Sequence, residues 1–166
     1  MHEPGSCDAC LQGRSRIEGT QLVTLKRMDN VLIVVDDLEA AKAFFIELGL
    51  TLEGETTVEG ASVGSLIGLD DVRATLAMMR TPDGQGIELD KFHTPDAVRF
   101  GPVHAPVNTL GIRRIMFAVD DIDELVARMR ARGAELIGEM EYGDTYRLAY
   151  IRGPEGIIVA LAEQRG

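Results

Sequence analysis

The sequence has no apolar run near the ~20 residues that cross a bilayer, so no membrane-spanning helix and no membrane partner are expected. It also lacks any cluster of lysine and arginine. With 17 basic against 27 acidic side chains the net charge is −10. Binding a phosphate backbone needs a basic stripe, so nucleic acid is not an expected partner. Cysteine is scarce. Cys7 and Cys10 form one C-x-x-C pair with only His2 close by. A zinc site needs further ligands, and a redox motif needs a flanking βαβ pattern. The opening stretch MHEPGSCDACLQGRSR has no apolar segment of the kind found in secretory leaders, so a cytoplasmic protein is expected. Residues 1–20 show no hydrophobic periodicity and read as a mobile tail. No Ser-His-Asp or Cys-His arrangement and no glycine fingerprint for a nucleotide is visible. No cofactor is expected.

What is present is an ordinary globular composition, 45% apolar and 27% charged. A chain of 166 residues buries roughly 70% of its unfolded surface. It forms one domain, or two halves sharing a core.

The halves are visible as a repeat. NVLIVVDDLEAAKAFFIELGLTLEGE (30–55) aligns without a gap on RIMFAVDDIDELVARMRARGAELIGE (114–139), a shift of 84 residues from Asn30 to Arg114. Asp36 and Asp120 are candidate helix N-caps, with Glu39 and Asp123 three residues on. Leu38, Ala41, Phe45 and Leu48 make one apolar helical stripe, and Ile122, Leu125, Val126 and Met129 make the other. Gly49 and Gly133 stand where each helix should stop.

The module ends repeat too. TPDGQGIEL (81–89) aligns on GPEGIIVAL (153–161), each a tight turn before a final strand. RATLAMMRT (73–81) and TYRLAYIRG (145–153) read as strands, and ASVGSLIG (61–68) is ambiguous and could be a short helix. The plan is strand–helix–strand–strand–strand, twice. It divides the chain into an extension (1–26), a first module (27–92), a Pro-rich linker (93–110) and a second module (111–164).

This tandem βαβββ pattern, carried by NVLIVVDDLEAAKAFF, TPDGQGIEL, RRIMFAVDDIDELVARM and GPEGIIVAL, resembles the vicinal oxygen chelate superfamily. That group holds glyoxalase I, the bleomycin-resistance proteins and the extradiol dioxygenases. The resemblance implies an α+β fold of two βαβββ modules, an incompletely closed sheet around a cleft, and a homodimer. It also implies four cleft-facing positions, on the first and last strands of each module, which in metal-dependent members hold one divalent ion.

In this sequence those positions are Asn30, Glu88, Arg114 and Ala160. The period-two alternation of the strands supports the placement on its own: Val31, Ile33 and Val35 oppose Asn30, Leu32 and Val34, while Ile157, Val159 and Leu161 oppose Ile158, Ala160 and Ala162. Only Glu88 is an ordinary ligand for a divalent ion. A guanidinium offers donors alone and repels a cation, so no metal is expected at this site.

Three readings of Glu88 and Arg114 stand side by side. They form an ion pair with a structural role. Or they work as a metal-free isomerase or lyase beside a carbonyl, with Arg114 holding an oxygen and Glu88 acting as general base. Or the cleft sequesters a small organic ligand, as bleomycin-resistance proteins do, with Leu32, Met116, Ile158 and Met78 or Met79 as its apolar lining. Tyr142, Tyr146 and Tyr150 recur every four residues. Tyr146 could stack on a flat ligand or donate a hydrogen bond from the cleft face. His93 and His104 read as surface residues of the linker region.

Overall fold

The computed structural model describes residues 25–165. Cys7, Cys10, His2 and the expected tail therefore lie outside the described residues. The elements are β1 (Asn30–Val34), α1 (Leu38–Leu48), β2 (Thr51–Glu59), α2 (Ala61–Ile67), β3 (Arg73–Arg80) and β4 (Gly86–Thr94). They are followed by β5 (Ile115–Val119), α3 (Ile122–Ala131), β6 (Glu135–Tyr142), β7 (Tyr146–Arg152) and β8 (Ile158–Gln164). Two βαβββ modules follow one another in the chain, and the ambiguous segment 61–68 forms the short helix α2. No helix among the described residues is long and apolar enough to cross a membrane.

Each module builds one four-stranded sheet, in the orders β1-β4-β3-β2 and β5-β8-β7-β6. The first strand pairs with the last in parallel, and the other pairs are antiparallel. The repeat extends to irregularities. β2 bulges between Leu52 and Gly54, and β6 between Leu136 and Gly138, 84 residues on. A bulge sharpens twist at one point of a ladder, so the two sheets curve alike.

The helix starts fall one residue later than the sequence pattern suggests. Asp37 caps α1, its side chain accepting from the Ala40 amide, and Asp121 caps α3 by accepting from the Glu124 amide, both at 2.9 Å. Asp36 and Asp120 are not the caps. Each stands one residue earlier, and Asp36 is drawn instead into an ion pair with Arg99 of the linker. The helix ends are as expected: Gly49 at φ +116° and Gly133 at φ +94° reverse the chain, with the Leu50 and Ala134 amides reaching back to the Phe45 and Met129 carbonyls.

One core serves both modules. Phe45, Met79 and Leu89 from the first join Ile122, Met129, Ile151 and Leu161 from the second in a single buried cluster. Phe44 reaches across to Gly153 at the turn before β8, where a side chain would lie 2.5 Å from the ring. Arg128 of α3 ties to α1 through Glu47, at 3.0 Å to its carboxylate. Helices thus cover the faces carrying Val31, Ile33, Val159 and Leu161. The opposite strand faces carry the candidate site.

Candidate functional site

Asn30, Leu32 and Val34 lie on one face of β1, and the parallel register sets Asn30 beside Gly86, Leu32 beside Glu88 and Val34 beside Asp90. From β3, Met78 and Leu76 stand opposite Glu88 and Asp90. The Asn30 amide Nδ2 donates to Glu88 Oε2 at 2.6 Å. That approach depends on Gly86. A side chain there would meet the Asp29 carbonyl at 2.8 Å and the Asn30 Cβ at 2.9 Å.

Two residues beyond Glu88, Asp90 is only 6% exposed. Its Oδ1 is buried and has no hydrogen-bond partner among the described residues. Removal from water, and then the charge of Glu88, push its carboxyl up to about 6. The first sheet therefore presents one acid held ready by an amide and a second that resists ionisation. Asp90 was not singled out from the sequence. The signal was there, since alternation places it on the Glu88 face, but nothing in the pattern says that it is buried without a partner.

The second sheet carries the cation. Arg114 immediately precedes β5 and is exposed. Its guanidinium carbon lies 5.4 Å from the ring centre of Tyr150, a favourable seat for a cation. Tyr150 pairs with Ala160, which pairs with Met116. Tyr146 shares the Tyr150 face and is 40% exposed, and Met116 is 42% exposed. Ala160 has no exposed surface and Ile158 is buried. Ile158, though buried, still borders the cleft that Arg114 and Leu32 line. Tyr150 was noticed in the sequence for its spacing, but its role as the platform for Arg114 was missed. The spacing gave its face and not its neighbour.

The expected Arg114–Glu88 bridge does not form. Among the described residues neither takes part in an ion pair. Glu88 is held by Asn30, and Arg114 by the Tyr150 face. Arg114, Leu32 and Ile158 border a common cleft of about 310 Å³ between β1 and β5, within the size range of small-ligand sites. Asn30 and Glu88 are not among its walls. A larger cavity, about 670 Å³, opens elsewhere. It lies beside Met28, the helix-facing side chains of β1 and β5, and the β3–β4 turn, and Met116 is its only wall from the candidate set. Volume alone points there, but the side chains able to do chemistry are in the smaller cleft and beside it.

The four positions that the fold offers a divalent ion do not suit one. Asparagine supplies one neutral oxygen, alanine nothing, and the arginine a fixed positive charge. Among the described residues no three His, Cys, Asp or Glu side chains cluster as a metal site would need. The histidines stand apart, His93 hydrogen-bonded to Thr75 at 2.8 Å and His104 3.4 Å from Glu135.

Comparison with known proteins agrees with this architecture. Residues 27–161 match the model of the glyoxalase/bleomycin resistance protein/dioxygenase superfamily. The Escherichia coli protein YaeR is 29% identical over 148 residues, which is 86% of this chain and all of that one. A crystal structure of a glyoxalase family protein from Bacillus cereus is 50% identical, covers 89% of this chain and all of its own, and superposes with a TM-score of 0.84. A glyoxalase I mutant from Zea mays shares the fold at 15% identity and a TM-score of 0.56. It covers 81% of this chain and 45% of its own. The chain belongs to the glyoxalase/bleomycin resistance protein/dioxygenase superfamily, the group also called vicinal oxygen chelate proteins.

Proposed function

We propose that this chain binds a small organic molecule bearing a carboxylate or carbonyl group, and that it does so without a metal ion. Arg114 holds the ligand oxygen in the cleft beside Leu32 and Ile158, and Met116 and Tyr146 give apolar and aromatic contact. Glu88, held by Asn30, acts as general base at the carbon next to that oxygen. The chemistry is proton transfer of the isomerase or lyase type, with the guanidinium stabilising the charge that develops on oxygen. The observation that carries this reading is the state of the two charges. Arg114 has no carboxylate and Glu88 has no cation among the described residues. An arginine seated on an aromatic face keeps its donors available to an anion.

Leu32, 49% exposed, and Met116 also favour a second reading, in which the cleft only sequesters its ligand. In both readings the working form is a cytoplasmic homodimer, whose second copy covers the exposed apolar strand faces and brings a ligand within reach of both sheets.

A thermal-shift screen of small carboxylates, ketones and aromatic drugs, with and without Mn²⁺, Ni²⁺ or Zn²⁺, tests the proposal. A stabilising organic ligand whose effect needs Arg114 and no metal supports it. Turnover that vanishes in Glu88→Gln while binding persists selects the enzyme. Tight binding without turnover selects sequestration. A shift produced by a divalent ion alone and lost in Glu88→Ala overturns the metal-free reading.

A further inference from the structure

Arg113 stands one residue ahead of Arg114 and does not share its seat. It is half-buried, and its Nε is buried with no hydrogen-bond partner among the described residues. No carboxylate among those residues pairs with it. Of the other described arginines, only Arg114 and the exposed Arg130 of α3 also lack an acid partner. A chain with 27 acidic against 17 basic side chains has acids to spare, so an arginine left without one is the exception. A buried N–H donor left without an acceptor costs stability, and a bound anion removes that cost.

Arg113 borders two adjoining spaces. One is the 310 Å³ cleft, which Arg114 also lines. The other is a groove under the linker, about 590 Å³, which Arg114 does not border. The alternation that runs into β5 sends neighbouring side chains to opposite sides. Arg114 turns to the Tyr150 ring, and Arg113 turns toward the linker. The acids near by are already taken. Asp36 and Glu155, the acidic walls of these two spaces, both pair with Arg99, Glu155 at 3.2 Å. The Asp36 amide adds a bond to Glu155 at 3.3 Å. Arg113 and Arg114 are therefore the two uncompensated charges of the cleft, and Leu32, Val34, Ile112 and Ile158 are apolar walls beside them.

We propose that the ligand of this cleft is a dicarboxylate. Arg114 holds one carboxylate, Arg113 holds the other, and the carbon chain lies against Leu32, Val34, Ile112 and Ile158. This rests on the ligand-binding reading above and names the class of molecule that it takes. Two guanidinium groups turned to different sides call for two acceptors some way apart, which a single carboxylate does not offer. The cleft suits a short chain, since about 310 Å³ lies near the lower end of small-ligand sites. Arg113 is then the residue that selects a diacid over a monoacid.

Titration of the full chain with matched acids at constant ionic strength tests it. Hexanoate is compared with butanedioate, hexanedioate and octanedioate. Binding is read by calorimetry and by the Nε–H signals of Arg113 and Arg114 in NMR spectra. One of the diacids should bind about ten- to a hundredfold more tightly than hexanoate, the worth of a charged hydrogen bond. It should shift both arginine signals, where hexanoate shifts that of Arg114 alone. Arg113→Gln should bring that diacid down to the affinity of hexanoate. Equal affinities in the wild type, with Arg114 still required, overturn the diacid assignment and leave the ligand-binding reading standing. An Arg113→Gln variant that weakens both kinds of acid alike does the same. Inorganic phosphate that shifts both signals as strongly as the best diacid also overturns it, because one anion then spans the pair. If no acid binds through Arg114, the ligand-binding reading and the diacid assignment fall together.

Discussion

Asn30 and Glu88 are joined across the parallel β1–β4 pair by a 2.6 Å hydrogen bond from amide to carboxylate. The donor fixes one carboxylate oxygen and leaves the other free. The hydrogen bond orients the carboxylate, and a general base needs to be held in reach of the proton it takes.

Asn30 and Glu88 should therefore separate in kinetics. Once a turned-over substrate is in hand, Glu88→Gln should lower kcat by about 10²–10⁴-fold, the usual worth of a general base, with KM changed little. Asn30→Ala should keep the base but loosen it, lowering kcat by roughly tenfold. Steady-state kinetics on both variants is the measurement. Equal loss in KM alone would assign Glu88 to binding.

Arg114 and Tyr150 should separate in affinity. Arg114→Ala removes a charged donor to the ligand, worth ~1.5–3 kcal/mol, so Kd for an anionic ligand should rise by about ten- to a hundredfold. Tyr150→Leu removes only the platform, worth about 0.5–1 kcal/mol at an exposed site, and should cost a few-fold. Tyr150→Phe keeps the ring face and should bind as the wild type does. Isothermal titration of the three variants decides whether the platform matters or only the charge.

Asp90 predicts a pH dependence of stability. Its folded pKa of about 6 lies above its ordinary value of 3.8. The folded state thus holds a proton that the unfolded state releases. Its stabilising effect is complete below pH ~4, and it is lost as pH rises through about 6. A shift of that size corresponds to about 3 kcal/mol at most by pH 8. Asp90→Asn should be more stable than wild type at pH 8 and close to it at pH 4. Chemical denaturation at both values reads this directly. Equal stability differences at the two pH values would mean that the Asp90 carboxyl does not titrate as its burial implies.

Much of this fold was legible because each module spells out the same punctuation. A capping acid, a glycine after the helix and a Pro-x-Gly turn recur at fixed offsets, and each acts through local chemistry that needs no partner elsewhere. The helix caps came out one residue early for a local reason. Asp36-Asp37 and Asp120-Asp121 are tandem acids, and only the backbone geometry decides which of them turns its oxygen onto the first free amides. The strand faces of Asn30, Leu32, Glu88 and Arg114 follow from alternation and hold. What alternation cannot give is distance between modules. Glu88 and Arg114 both fall on cleft-facing positions of their modules, which suggested a bridge, but alternation within a strand does not set how far one sheet lies from the other. Asp90 and Tyr150 stayed hidden for the same reason, since their importance lies in a missing partner and in a ring under a guanidinium.

Gly86 ties the fold to the site. It stands beside Asn30 in the β1–β4 register, and any side chain there would press on the Asp29 carbonyl at 2.8 Å and on the Asn30 Cβ at 2.9 Å. The obstacles are the first residue of β1 and the backbone of the residue before it, so relief requires moving the start of that strand and not rotating a side chain. Gly86→Ala should therefore destabilise the protein by about 1–3 kcal/mol, the usual cost of overpacking. The same displacement carries Asn30 away from Glu88, so the variant should share the kcat loss of Asn30→Ala. Joining Gly86→Ala to Asn30→Ala should then cost little further activity, because both act on one contact. A double-mutant cycle on kcat reads this. Fully additive losses would show that Gly86 supports the site by some route other than the Asn30–Glu88 bond.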